Sequence, residues 1–289
     1  MLRWRLLLGT LFVVALIALG WLDHRGDWPG LWLAPVVVLI AMLATGEILH
    51  LQRLGGARPL GAVVYFGNLA ILAACWWKLG FGDPSGFSLE GPALALALAV
   101  LALFVGEMRR YEKPGGITAN LAAGCFGLVY VGLLLAVVVL LRLRYGIAAL
   151  ATLLIVVKMG DIGAYTVGRL VGRHKMAPKL SPGKTIEGAA GAIVFSTAAA
   201  AACFTWLVPA LSDLAPQTAS VKSLWAPIVF GIAVGATGIA GDLAESLLKR
   251  DVGQKDSSAW MPGFGGVLDL VDSVLIAAPV AMVAWQLIG

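Results

Sequence analysis

Long apolar runs separated by short polar breaks dominate the chain. Runs at 6–22, 31–45, 60–76, 92–105, 117–141, 147–171, 189–207, 226–239 and 267–288 predict nine helices. A bilayer crossing takes about 20 residues, within a range of roughly 17–25. The runs at 31–45, 92–105 and 226–239 reach that length only by borrowing flanking residues. The first run follows Arg3 and Arg5, is 17 residues long and has no A-x-A site after it. It therefore reads as a membrane helix with its N-terminus inside, and not as a cleaved leader. The pattern predicts an all-α, polytopic integral membrane protein of about nine transmembrane helices. It divides into N-terminal membrane helices over 1–145 and C-terminal helices with cytoplasmic loops over 146–289. The longest outer loop, 208–225, reads as a plain connector.

Composition agrees with the pattern. The 289 residues are 60% hydrophobic and only 13% charged, with a mean hydropathy of +0.91, whereas a soluble domain carries about 25% charged residues. The net charge is +5. With the N-terminus inside, inner segments collect 15 Lys and Arg and outer segments five, with Lys158 inside a run. This is the bias that orients membrane proteins, so nucleic-acid binding is a poor inference from it. Arg142 and Arg144 are the exceptions, and the sequence reads them as snorkelling outward. Cys75, Cys125 and Cys203 are scattered without a CxxC or a His neighbour, so disulfide and zinc chemistry have no support. His24, His50 and His174 are isolated from one another and read as surface or interfacial residues.

One stretch breaks the apolar pattern most. Residues 241–273 carry nine charges in 33 positions, and ionisable residues in or beside membrane helices are functional candidates. Asp242, Glu245, Ser246 and Lys249 share one helical face, at i, i+3, i+4 and i+7. Asp269 and Asp272 stand at i and i+3 on a second helix, opening after Pro262 and Gly265-Gly266. Two carboxylate groups returning to one membrane surface, with Lys and Arg nearby, suit a Mg²⁺ ion holding a polyphosphate.

A second polar island runs from 158 to 188. Lys158 and Asp161 stand three apart in an apolar run and offset each other's charge. Gly168 and Gly172 offer a face for close helix approach. Between Arg169 and Lys184 lie five basic residues, counting both ends and Arg173, Lys175 and Lys179. Pro178 and Pro182 stop the helix and stiffen the loop, so cations held this way suit phosphate groups. Gly183-Lys184-Thr185 is no P-loop: Pro178 occupies the position of the first glycine, and no strand is expected before it.

The run Ser246-Leu247-Leu248-Lys249-Arg250, Lys255-Asp256, Pro262, Gly265-Gly266-Val267, Asp269 and Asp272 resembles the C-terminal signature of the phosphatidate cytidylyltransferases, also called CDP-diacylglycerol synthases. It spans 27 residues. Phe264 stands where that family has His, Leu270 where it has Arg, and Met261 where Leu, Ile or Phe is usual. Phe264 cannot transfer a proton and Leu270 cannot pair with a phosphate. The island from Asp161 resembles the same family through Ala164-Tyr165, Gly168, Gly172-Arg173, Pro178, Ser181-Pro182, Lys184-Thr185 and Glu187-Gly188. The two matches cover the C-terminal half.

The resemblance implies transfer of a cytidylyl group from CTP to phosphatidate at the inner face of the cytoplasmic membrane, with release of pyrophosphate. It implies Asp242 and Asp269 as ligands of Mg²⁺, with room for a second cation, and Asp161, Asp272 and Glu245 in the same cluster. Lys175, Lys184, Lys249, Arg250 and Lys255 would meet phosphates, with Ser181 and Ser246 as hydrogen-bond donors. Phosphatidate is already an anionic nucleophile, so no strong general base is required. The partners are CTP, phosphatidate and membrane lipid, and the Gly/Ala-rich stretch 189–202 leaves room for a homodimer interface. Other readings stay open: a polyprenol kinase, an ether-lipid cytidylyltransferase, an inactive paralogue, or a transporter. The Asp-x-x-x-Asp motif of CDP-alcohol phosphatidyltransferases is absent.

Overall fold

The computed structural model describes residues 2–26, 28–76, 88–211, 225–258 and 265–288, with side chains from residue 14 onward. Met261, Pro262 and Phe264 of the signature, and most of the 208–225 loop, lie outside the described residues. Helices α1 (Leu2–Arg25), α2 (Ala34–Leu54), α3 (Gly61–Ala73) and α4 (Glu90–Arg109) come first. Next, α5 (Ile117–Gly127) runs through a π-helical turn into α6 (Leu134–Val171). Strands β1 (Lys175–Ala177) and β2 (Ser181–Thr185) precede α7 (Ile186–Ala202), which passes through another π-helical turn into α8 (Val208–Ala210). Helices α9 (Trp225–Asp251) and α10 (Leu268–Ile288) complete the chain.

Among the described residues, six helical runs are long and apolar enough to cross a bilayer, and Gly61–Trp76 is shorter. The protein is a helical integral membrane protein. Its apolar runs at 117–141 and 147–171 form one 55-residue helical run, Ile117–Val171. Gly146 breaks the helical geometry inside it, at φ 83° and ψ 179°, a conformation that glycine adopts without a Cβ penalty.

The chain is all-α in class, as expected, with one short two-stranded addition before α7, where the sequence reads a proline-stiffened basic loop. β1 and β2 pair antiparallel as a hairpin, Lys175 opposite Thr185 and Ala177 opposite Ser181. A strand therefore does carry Gly183-Lys184-Thr185, although the first P-loop glycine is still missing. The extended backbone suits the two prolines, which cannot serve a helix interior.

The chain forms two compact units. The first comprises Met1–Leu143 and Asp256–Leu270, the second Arg144–Lys255 and Val271–Gly289. In the first unit, Ile48, Ile71, Leu103, Leu128 and Leu140 are fully buried. Several buried polar side chains there have partners, and an unpaired group in an apolar interior costs several kcal/mol, roughly 2–7 by transfer. Asn68 Nδ2 donates to Thr45 Oγ1 (2.8 Å), and Gln52 Nε2 donates to the Ala123 carbonyl (2.8 Å). Arg110 pairs with the buried Glu107, Nε to Oε2 at 2.8 Å. Arg142 does not snorkel. It is buried and donates to Asp23, Nε to Oδ2 at 2.7 Å and Nη2 to the carbonyl at 3.0 Å. The buried Asp23 carboxylate offsets its charge. Arg144 is exposed, with its guanidinium 5.4 Å from the Tyr145 ring centroid.

In the second unit, small residues let helices close. A Cβ on Gly163 of α6 would lie 2.6 Å from the Gly191 carbonyl oxygen of α7. Ser196 of α7 donates to the Val156 carbonyl of α6 (3.0 Å), and Gly235 of α9 packs against the same serine. The small-residue face of 189–202 is thus occupied by α6 and α9 of its own chain. Trp285 of α10 is buried against the rings of Tyr145, Phe204 and Phe230.

Candidate active site

The hairpin is fixed at three points. Thr185 caps α7, its Oγ1 accepting from the Gly188 amide (3.1 Å). It sits against Gly168, where an added Cβ would lie 3.1 Å from Thr185 Oγ1. The glycine pair 168 and 172 therefore makes room for a hairpin residue as well as for α7. Glu187, in the first turn of α7, accepts from the amides of Arg173 (3.1 Å) and His174 (3.2 Å) and pairs with His174 Nδ1 (2.6 Å). Arg250 of α9 donates through Nε to the Leu180 carbonyl at the hairpin turn (3.2 Å). A side chain assigned to phosphate binding thus also ties the hairpin to α9. His174 has a carboxylate partner that its sequence neighbours did not reveal.

With β2 fixed, Lys184 reaches α9. Its Nζ lies 2.6 Å from Asp242 Oδ2, with side chains 21% and 43% exposed. Next to Asp242, α9 and α10 come together at Gly241, where a Cβ would lie 2.9 Å from the Asp272 carbonyl oxygen. That approach brings Asp272 under the influence of the Asp242 and Lys158 charges and beside the Glu245 carboxylate. Asp272 is itself buried and also accepts from the Ser273 amide (2.6 Å). On α6, Lys158 and Asp161 form the expected pair (3.1 Å), both about half exposed, and Asp161 feels the charges of Asp242 and Lys184 as well.

One turn further along α9, Lys249 Nζ lies 2.8 Å from Glu245 Oε2 in a buried i,i+4 pair. Both were candidates for direct contact with metal or phosphate. The structure gives each the other as a close partner. Lys175, on β1, and Lys255 are exposed, while Ser181 and Ser246 are half-buried. The second unit thus gathers four carboxylates, Asp161, Asp242, Asp272 and Glu245, with three lysines, 158, 184 and 249.

Asp269 belongs to the first unit. Its Oδ2 accepts from the Ser257 amide (3.0 Å), Ser257 Oγ (2.7 Å) and the Gly266 amide (2.7 Å). Beside it stands a carboxylate that sequence reasoning passed over. Glu47 of α2 is buried, and both its oxygens face the start of α10. Oε1 accepts from the Val267 amide (2.9 Å), and Oε2 from the Leu268 amide (2.7 Å), with Ser257 Oγ at 3.0 Å. The available signal was a lone acid inside an otherwise apolar run, Ala44-Thr45-Gly46-Glu47-Ile48-Leu49.

Among the described residues, no three Asp, Glu, His or Cys side chains stand close enough to hold a metal ion by themselves. That does not argue against Mg²⁺, which usually binds through one or two carboxylates plus substrate phosphates and keeps several waters. The donor set fits such a partial site. Asp242 and Asp161 are half exposed, each feels the other's charge, and both are hard oxygen donors.

Comparison with known proteins agrees with this chemistry. Residues 3–288 match the family model described as "Cytidylyltransferase family". The chain is 29% identical over 264 residues to the phosphatidate cytidylyltransferase of Mycobacterium bovis, covering 89% of this chain and 80% of that protein. It is 39% identical over 237 residues to the enzyme of that name from Brucella suis, covering 82% and 68% respectively. The Mycobacterium leprae enzyme of the same name is 32% identical over 232 residues, covering 80% of this chain and 64% of that protein. The chain belongs to the cytidylyltransferase family.

Proposed function

We propose that the protein transfers the cytidylyl group of CTP to phosphatidate, giving CDP-diacylglycerol and pyrophosphate. In this reaction a phosphate oxygen of phosphatidate bonds to the α-phosphorus of CTP. The bond from that phosphorus to the oxygen bridging toward the β-phosphate breaks, and the pyrophosphate leaves with the electron pair. Such transfers depend on positioning and charge stabilisation more than on covalent help from the protein.

The observation that carries the reading is the Lys184–Asp242 pair, set among Asp161, Asp272 and Lys158 in a chain of this family. It holds a cation and an anion side by side, the carboxylate half exposed, where a metal-bound triphosphate would present the complementary charges. Mg²⁺ held by Asp242, with Asp161 and Asp272 around it, would neutralise the triphosphate and favour departure of pyrophosphate. Lys184 and Lys175 are assigned to phosphate oxygens. Arg250, tied to Leu180, sets the hairpin that carries them, and Ser181, Ser246 and Lys255 line the approach. Asp269 ties Ser257 to Gly266 at the start of α10. The buried Lys249–Glu245 pair stiffens α9 beneath Asp242. Phosphatidate brings its own negative charge to the attack, which fits a chain with Phe264 in place of His.

Charge bias supports a location in the cytoplasmic membrane with the N-terminus and the hairpin inside, and the Arg142–Asp23 pair removes one apparent exception. CTP then enters from the cytoplasm, and the acyl chains stay in the bilayer. The test is pyrophosphate release from CTP by purified protein, with and without phosphatidate and Mg²⁺. Release that needs both is expected. Equal release with a polyprenol or an ether lipid in place of phosphatidate would shift the substrate, and none with any lipid would overturn the reading.

A further inference from the structure

Glu47 lies 220 residues before Val267 and outside both stretches singled out by charge, yet both its oxygens accept hydrogen bonds at the start of α10. The local sequence there, Gly265-Gly266-Val267, has no side chain able to cap a helix from the N-cap position. The first amides of a helix have no partner within it and carry the positive end of its dipole. Asp269 reaches back from inside the helix to the Gly266 amide. Glu47 supplies the rest from another helix, one oxygen to Val267 and the other to Leu268. Ser257 Oγ lies between the two acids, 3.0 Å from Glu47 Oε2 and 2.7 Å from Asp269 Oδ2. A hydroxyl has one proton to give, so it binds one carboxylate at a time and couples the placement of both.

We infer that Glu47 is a positioning residue for the cytidylyl transfer: it anchors the first turn of α10 and, through Ser257, the carboxylate of Asp269. This rests on the proposed function for its kinetic consequence, but not for its geometry. The space is closed to alternatives, because an added Cβ on Gly266 would collide with the Glu47 carboxylate and Ser257 Oγ. A glutamine at 47 keeps the shape but turns an NH₂ donor toward an amide donor, so one of the three donors loses its acceptor.

The experiment compares Glu47→Gln, Ser257→Ala and Glu107→Gln in the full chain, in detergent with lipid. Glu107→Gln is the control, an equally buried acid of the same unit whose partner is Arg110. Glu47→Gln is expected to lower kcat at least about tenfold with KM for CTP within about twofold, the mark of an effect on the reacting geometry. The Val267 and Leu268 amides should exchange hydrogen at least about tenfold faster in it than in the wild type. Ser257→Ala, which leaves the two amide bonds in place, should lower kcat about threefold without changing that exchange, while Glu107→Gln keeps kcat within about twofold. Unchanged exchange at Val267 and Leu268 in Glu47→Gln, or a kcat loss no greater than that of Glu107→Gln, overturns the inference. If Glu47→Gln does not fold, full activity of Ser257→Ala overturns it instead. Exchange is read without substrate, so an inactive wild type would count against the proposed function alone.

Discussion

Two groups of carboxylates in this chain are held in opposite ways. In the second unit, Asp242 and Asp161 are half exposed and face lysine ammonium groups, Lys184 and Lys158. In the first unit, Glu47 is buried, and Glu47 and Asp269 take backbone amides and a serine hydroxyl. A lysine is a flexible partner on a four-carbon stem and can trade a carboxylate for a phosphate. A helix amide cannot leave without unwinding the helix. The first arrangement suits groups that meet a charged ligand, and the second suits groups that hold a turn in shape. Carboxylates drawn from one charged stretch of sequence, Asp242 and Asp269, thus divide into these two kinds.

The sharpest way to break the comparison is Asp242→Asn. It removes charge from the half-exposed group and should lower CTP-dependent pyrophosphate release at least about a hundredfold with Tm nearly unchanged. Asp269→Asn should also abolish turnover, but with faster exchange at the Gly266 amide, because the asparagine amide group cannot replace a carboxylate oxygen facing three donors. A normal exchange rate there would place Asp269 with the first kind. Next in size is Gly241→Val. It pushes α10 away from α9 beside Asp242, and a misplacement of about 1 Å is worth up to roughly a hundredfold in rate. Activity within twofold of wild type would show that the α9–α10 approach does not set the site.

The buried Lys249–Glu245 pair tests stability instead of chemistry. Breaking it by Lys249→Met should cost about 3–5 kcal/mol by taking the ammonium partner from a buried acid. The double variant Lys249→Met/Glu245→Gln should recover much of the loss in denaturation measurements. Failure of the double variant to recover would mean that the contact of Glu245 with Asp272 matters more than the ion pair. The smallest effect is expected from Glu187→Gln, which loosens the exposed link to His174 and the start of β1. KM for CTP should rise about threefold with kcat retained, and an unchanged KM would detach the hairpin's footing from nucleotide binding.

Much of the site was legible because charge is conspicuous in an apolar chain. The i, i+3, i+7 face of Asp242, Glu245 and Lys249 and the Lys158–Asp161 pair follow from helical spacing alone, and the structure shows both. The hairpin was less legible, since two strands of three and five residues leave little period to read between prolines. Glu47 and Arg142 stood as single charges in runs treated only as membrane helices, and their partners lie 220 and 119 residues away.

The sequence by itself determined that the chain is a helical membrane protein, where its charged segments fall, and which helical neighbours pair, because hydropathy and helical spacing are local properties. Only the tertiary structure decided that Lys184 meets Asp242, that Asp272 turns to Glu245, and that Glu47 caps α10. Those pairings depend on where glycines let backbones approach and on which buried donors lack a local acceptor, and both are settled by packing between segments far apart in the chain.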